Sequence, residues 1–162
     1  MLPAMLPYIL LGAFLVILIL LLRRRRKASR NWIVVDGSNV LYWDRETPDL
    51  SSVCHIVDIL KEEGFTPLVW FDANVGYLVG GRYLGPGPLA KRLELNERHV
   101  MVAGKGTPAD PLLLKAAERL GARVVTNDRF RDWEEDFPRI REEGVLVRGY
   151  IRGDTIGLEW SQ

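Results

Sequence analysis

The sequence predicts a three-layer α/β sandwich built on a mostly parallel sheet, preceded by one N-terminal transmembrane helix. Three observations lead there. Short apolar runs recur at residues 32–35, 66–71, 99–103, 122–126 and 145–151, and stretches of helical periodicity separate them. Strands alternating with helices in this way imply right-handed βαβ units. The first run, Trp32 to Val35, does not alternate apolar with polar, so its strand is expected to be buried on both faces. Finally, residues 2–22 are 21 uncharged positions dense in Leu and Ile, followed at once by Arg23, Arg24, Arg25, Arg26 and Lys27.

That apolar run matches the ~20 residues needed to cross a hydrocarbon core as a helix. Pro3 and Pro7 lie near its start, where proline costs a helix least. A cleaved signal peptide would need a basic n-region before the run and a small-residue cleavage site after it, and neither is present. The basic flank marks the side expected to stay in the cytoplasm. The expected organisation is a transmembrane anchor at 1–22, a basic juxtamembrane linker at 23–30 and a domain at 31–162 on the cytoplasmic side of a single-pass membrane protein. With the five linker cations set aside, 17 Lys and Arg remain against 21 Asp and Glu, a net charge of −4. A mildly acidic domain gives no support to an argument for general nucleic-acid affinity. The single cysteine, Cys54, excludes an internal disulfide and a cysteine-rich zinc site.

The first strand breaks abruptly at Asp36-Gly37-Ser38-Asn39, which places a carboxylate at its carboxyl end. Ligands of open α/β sheets bind at that edge, although the same four residues also serve as ordinary turn and cap chemistry. Residues 51–63 carry Val53, Ile56, Val57 and Leu60 at helical spacing and stop at Gly64. The second strand, TPLVWF, ends in Asp72. Residues 73–88 read as a loop with a short helix, and 89–95 as a brief helix. After the third strand, GKGT suggests a phosphate loop, but Arg98 and His99 stand where that motif needs its first glycine. Thr107 as N-cap, Pro108 at the first position and Asp110 at the third then open a helix that stops at Gly121. The fourth strand ends in Asn127-Asp128, and a helical stretch is expected around Phe137 and Ile140. The last strand is followed by a tail, 154–160, placed to pair with it.

In a parallel sheet these strand ends share one edge, so Asp36, Asp72, Asp110 and Asp128 converge, with Asp132 four residues beyond Asp128. Crowded carboxylates repel, a divalent cation relieves the repulsion, and oxygen-only ligands suit Mg²⁺ or Mn²⁺. Such ions organise phosphoryl chemistry. A von Willebrand-type adhesion site needs D-x-S-x-S, and Val40 stands at the second serine. The isolated His55 and His99 are expected to have surface or core roles.

On VVDGSNV, ADPLLLKAA and VVTNDRFRDW, the chain resembles the NYN branch of the PIN-like ribonucleases, particularly Regnase-type catalytic domains, over residues 31–150. The resemblance implies a metal-dependent endoribonuclease with Asp36, Asp110, Asp128 and Asp132 around Mg²⁺ or Mn²⁺. Asn39 would order the site, and cleavage of single-stranded RNA would leave a 5′ phosphate. Where the Regnase pattern usually has paired aspartates, this chain has Ala109-Asp110, and it has no CCCH zinc finger. Arg82, Arg92, Lys105, Arg129 and Arg131 are candidate RNA-backbone contacts, and Tyr77 and Tyr83 candidate stacking residues. The partners implied are single-stranded RNA and the membrane, with a homo-oligomer left open and no small-molecule cofactor expected. The alternative function is a non-catalytic PIN-like scaffold that holds RNA or protein at the membrane.

Overall fold

The computed structural model describes residues 31–44, 46–152 and 155–160. The expected anchor and its basic linker, residues 1–30, lie outside the described residues. Among the described residues no helix is long and apolar enough to cross a membrane.

Six strands form one sheet: β1 (Trp32–Asp36), β2 (Thr66–Phe71), β3 (Val100–Val102), β4 (Arg123–Val125), β5 (Leu146–Arg152) and β6 (Thr155–Glu159). Their order is β3-β2-β1-β4-β5-β6. The first five strands are parallel, and β6 pairs antiparallel with β5, as expected for the tail. Between them lie α1 (Gly37–Val40), α2 (Leu50–Glu62), α3 (Val75–Gly80), α4 (Pro86–Arg92) and α5 (Asp110–Leu120).

Successive residues of a strand point to opposite faces, and the core divides accordingly. Ile33 and Val35 join Val69, Phe71, Val125 and Val147 under α2 and α4, through Val53, Ile56, Val57, Leu60, Leu89 and Leu93. Val34 turns the other way, with Leu68 and Val124, against Leu113, Leu114 and Ala117 of α5. The first strand is continuously apolar because both faces are covered. Truncating a fully buried residue such as Leu113 to alanine costs about 2–5 kcal/mol.

Three local differences from the sequence reading have physical causes. Helix α5 starts at Asp110, with Ala109 as a cap residue already in helical conformation, so Thr107 is not the N-cap. The stretch after β4 forms two short 3-10 turns, Arg131–Trp133 and Pro138–Arg141, instead of a helix. Phe130 is buried with φ 51°, outside the helical region, and Pro138 lacks the N–H that a continuous helix needs. In the irregular 73–88 segment there are two short helices. The second begins earlier than expected, at Pro86, a residue whose ring suits the first helical position.

Candidate active site

The chain passes from β1 to β2 on one side of the sheet and from β3 across to β4 on the other, so the order reverses between β1 and β4. The crevice beyond such a reversal is where open α/β sheets bind ligands. Asp36 ends β1 there, and Thr126, Asn127 and Asp128 follow β4.

Asp36 is 5% exposed. Its Oδ1 accepts the backbone N–H of Asn39 at 3.1 Å, which caps the single turn α1. Its Oδ2 accepts the Thr126 hydroxyl at 2.9 Å. The turn lies so close to Phe71 that a Cβ at Gly37 would strike the ring, which explains the glycine after the acid. Burial pushes the Asp36 carboxyl from 3.8 up to about 7. The two hydrogen bonds work against that rise, while the negative charges of Asp110 and Asp72 add to it.

Asn39 holds the crevice together. Its Oδ1 accepts the Trp43 indole N–H at 2.7 Å and the Asn127 backbone N–H at 2.9 Å. Asn127 in turn accepts from Gly149 through Oδ1 at 3.0 Å and from Arg148 through its carbonyl at 2.8 Å. Trp43 lies flush on Gly149, and a Cβ there would overlap the indole. The Thr126 hydroxyl also accepts the Asp128 N–H at 3.1 Å, and Asp128 Oδ1 accepts the Phe130 N–H at 2.8 Å. Asp128 is thereby fixed while remaining exposed.

Asp110 is half-buried, and its carboxyl is raised by burial first and then by Asp72 and Asp128, with a hydrogen bond from the Trp133 side chain opposing. Asp72 and Asp110 therefore lie within electrostatic reach of Asp36, and Asp72 and Asp128 within reach of Asp110. Asp72 stands out among them, because its Oδ1 accepts the Ala109 N–H at 3.2 Å and serves the start of α5 from the neighbouring strand. Its own N–H donates to Ser38 Oγ at 2.8 Å. Ala109, at the variant position, is 3% exposed.

Asp132 shares an open depression with Asn39, Asn127, Asp128, Arg129 and Arg131. Lys105 lines a neighbouring groove with Tyr77 and Tyr83, whereas Arg82 and Arg92 line neither. His55 is exposed, and His99 packs edge-on against Trp32 at 5.1 Å between ring centres. Among the described residues no three His, Cys, Asp or Glu side chains form a ready-made metal cage. The donors are nonetheless oxygen-only and mutually repulsive. That suits Mg²⁺, which is commonly held by one or two carboxylates together with waters and substrate phosphate.

The structure brings the sequence candidates Asp36, Asn39, Asp110 and Asp128 to one edge, and adds groups around them that the sequence did not single out as site residues: Thr126, Asn127, Trp43, Gly149 and Trp133. Thr126 was visible in principle, as a hydroxyl closing a buried apolar run. The Trp43–Gly149 contact joins residues far apart in the chain and has no local signal.

Residues 29–150 match the Zc3h12a-like ribonuclease NYN domain. Comparison with curated protein sequences finds no match. Among solved structures, the chain is similar to nuclear proteinaceous RNase P 2 from A. thaliana, with a TM-score of 0.63, 18% identity and 82% of this chain covered. A second structure, Arabidopsis thaliana nuclear protein-only RNase P 2, gives a TM-score of 0.59, 20% identity and 81% coverage. At this identity the likeness is one of fold, and the chain spans 30% of the length of those two chains.

Proposed function

Because the chain belongs to the Zc3h12a-like ribonuclease NYN domain family, we propose that it is a divalent-metal-dependent endoribonuclease of single-stranded RNA, tethered to the membrane by residues 1–22 with its domain in the cytoplasm. Membership makes it a ribonuclease-type nuclease. The observation that carries the finer reading is Asp36: a nearly buried carboxylate at the sheet's crossover point, pushed to about 7 by burial and flanked by Asp110 and Asp72.

Asp36, Asp110 and Asp128 would hold Mg²⁺ or Mn²⁺, with Asp132 reaching from the rim of the depression and Asp72 adding charge behind Asp110. A cation held there would offset the crowded negative charge and supply neutralisation of the charge carried by the phosphate oxygens. The chain's own residues do the rest. Thr126 and the Asn39 N–H fix both Asp36 oxygens, so the carboxylate needs no reorganisation when ligand arrives. Asn39 ties the loop after β1 to the loop after β4, and Arg129 and Arg131 stand beside Asp128 to take backbone phosphate. In the regiochemistry the family resemblance implies, water would attack phosphorus as the bond to the 3′ oxygen breaks, one proton of the water passing by way of solvent to that oxygen, to give a 5′ phosphate and a 3′ hydroxyl. Asp36 would have to give up its proton to hold a cation, so apparent metal affinity is expected to rise with pH up to about 7.

The buried Ala109, in place of an acid, favours a second reading, a scaffold that binds RNA without cutting it. The test is to incubate the full chain with labelled single-stranded RNA and Mg²⁺ or Mn²⁺, with and without EDTA. Internal cuts abolished by EDTA and by Asp36→Asn are expected. Binding without cleavage at any metal concentration would favour the scaffold. The tether is checked with protease on intact cells: digestion of the domain, or a mature chain lacking residues 1–22, overturns it.

A further inference from the structure

We propose that the groove between the carboxyl ends of β2 and β3 is a nucleobase-stacking subsite, holding a base of single-stranded RNA beside the acidic crevice. The inference rests on the ribonuclease reading and names how that site grips its substrate. Tyr77 and Tyr83 line the groove, Ala73 and Val102 give it apolar surface, and Asn74 and Lys105 supply polar groups. Its volume of about 640 Å³ lies within the roughly 300–1,000 Å³ of ligand clefts.

Both tyrosines are 61% exposed, more than any other large apolar side chain among the described residues. Their placement is built by the backbone. Gly76 packs directly on the Leu84 N–H and the Arg82 carbonyl, so closely that a Cβ would overlap them. That contact clamps α3 onto the segment after it and brings Tyr77 and Tyr83 to one groove. The end of β3 is pinned by the Ala103 N–H donating to the Phe71 carbonyl at 2.8 Å. Only Asp72 separates Phe71 from Ala73, so the groove runs directly into the acidic edge. Lys105 supplies a cation on the groove wall, placed to meet a backbone phosphate.

Flat aromatic faces, one amide and one cation beside a phosphodiester site match the chemistry of a nucleotide. An apolar peptide would use neither the lysine nor the adjoining carboxylates. Stacking is indifferent to which base is present, because every base has a π-face. The groove therefore anchors single strands whose bases are splayed out and rejects duplexes, whose bases are stacked internally.

The test measures binding of a short fluorescein-labelled oligouridylate to the full chain in detergent micelles with EDTA, so that cleavage does not interfere. Tyr77→Ala and Tyr83→Ala should each weaken binding roughly 5- to 150-fold, while Tyr77→Phe and Tyr83→Phe retain it. An abasic oligomer of the same length should bind the unaltered protein as weakly as the alanine variants bind oligouridylate. Alanine variants that bind as tightly as the unaltered protein overturn the proposal, as do phenylalanine variants that lose as much as alanine. The same preparations are then given Mn²⁺. Cleavage with no tyrosine effect on binding rejects the groove and keeps the ribonuclease. Tyrosine-dependent binding without cleavage rejects the ribonuclease and keeps the groove. Neither binding nor cleavage rejects both.

Discussion

At the β1–β4 side of the sheet edge, Asp36, Asn39, Thr126, Asn127 and Trp43 are tied into one hydrogen-bonded network around a nearly buried carboxylate. At the β2–β3 side, Tyr77, Tyr83 and Lys105 stand in solvent over a groove whose backbone alone is tightly packed. The first region accepts the electrostatic cost of a desolvated acid in order to have its geometry fixed before ligand arrives. The second leaves its side chains adaptable and exposed. Chemistry needs the former, because a transition state tolerates little reorganisation. Binding strands of any sequence needs only the latter.

The largest expected effect breaks the comparison if it fails. Asp36→Asn keeps the size of the side chain and its acceptor for the Asn39 N–H. It removes the charge, and cleavage should fall by at least the ~10²–10³-fold typical of losing one preorganised electrostatic group. Asp128→Asn should behave alike. Tyr77→Ala should leave the single-turnover rate at saturating RNA unchanged. If Asp36→Asn unfolds the domain, or if Tyr77→Ala slows the chemical step, the division between the two regions is wrong.

Next comes the cost of that buried acid. The folded-state value of Asp36, about 7, lies above its unfolded value of 3.8. Its contribution is therefore fully present below pH ~4 and is lost as pH rises through 7. Over that window the metal-free protein should lose ~4 kcal/mol through this group. Urea unfolding in EDTA at a series of pH values, compared with Asp36→Asn, isolates it. The variant should lack this slope and be the more stable protein at pH 8. Its gain should be less than the full amount, because an amide nitrogen cannot accept the Thr126 hydroxyl proton. A variant with the same slope as the parent would show that Asp36 is ionised at little cost.

Smaller again is a pair of glycines, one from each region. Gly149→Ala drives a methyl into Trp43, whose indole holds Asn39. It should cost about 1–3 kcal/mol as an overpacked contact and reduce cleavage with it. At Gly104, beside the groove, an added Cβ would meet only Thr107 Oγ1 at 3.8 Å. That change should stay within about 0.5 kcal/mol. Equal melting temperatures for the two variants would remove the claimed difference in rigidity.

How much of this the sequence revealed follows the range of each interaction. WIVV and TPLVWF are legible as strands because burial on both faces leaves a continuous apolar run, and Gly64 and Gly121 mark helix ends in left-handed conformation. Asp36 and Asn39 are legible because the turn that positions them is local. The start of α5 differs from the sequence reading because the group that accepts the N–H of its cap residue, Asp72, comes from the end of β2. The segment after β4 differs from the helix expected because Phe130 is buried in left-handed conformation with its N–H held by Asp128, an arrangement that the apolar spacing of the sequence does not display. Tyr77 and Tyr83 were visible only as residues of an irregular loop until the Gly76 contact joined them.

The smallest effect lies where the two regions meet. Ala109 sits between Asp72, which accepts its N–H, and Asp110, which opens α5. On an exposed first turn, Ala109→Asp would gain about 0.3–1 kcal/mol from the helix dipole. The alanine is 3% exposed, however, and its neighbours are already carboxylates. Desolvation and like charge should outweigh the dipole, so the metal-free variant is expected to be less stable by on the order of 1 kcal/mol at pH 8. The deficit should shrink as the pH is lowered and the new group is protonated. If the new carboxylate faces the crevice, Mn²⁺ should reverse the sign: the variant binds the ion more tightly than the parent in calorimetric titration and cleaves RNA at lower metal concentration. If it faces the interior, the stability loss appears and the Mn²⁺ titration is unchanged. A variant as stable as the parent without metal, with no change in Mn²⁺ affinity, would mean that position 109 is more open than its burial indicates. The boundary between the rigid and adaptable regions would then lie nearer Asp110 than Asp72.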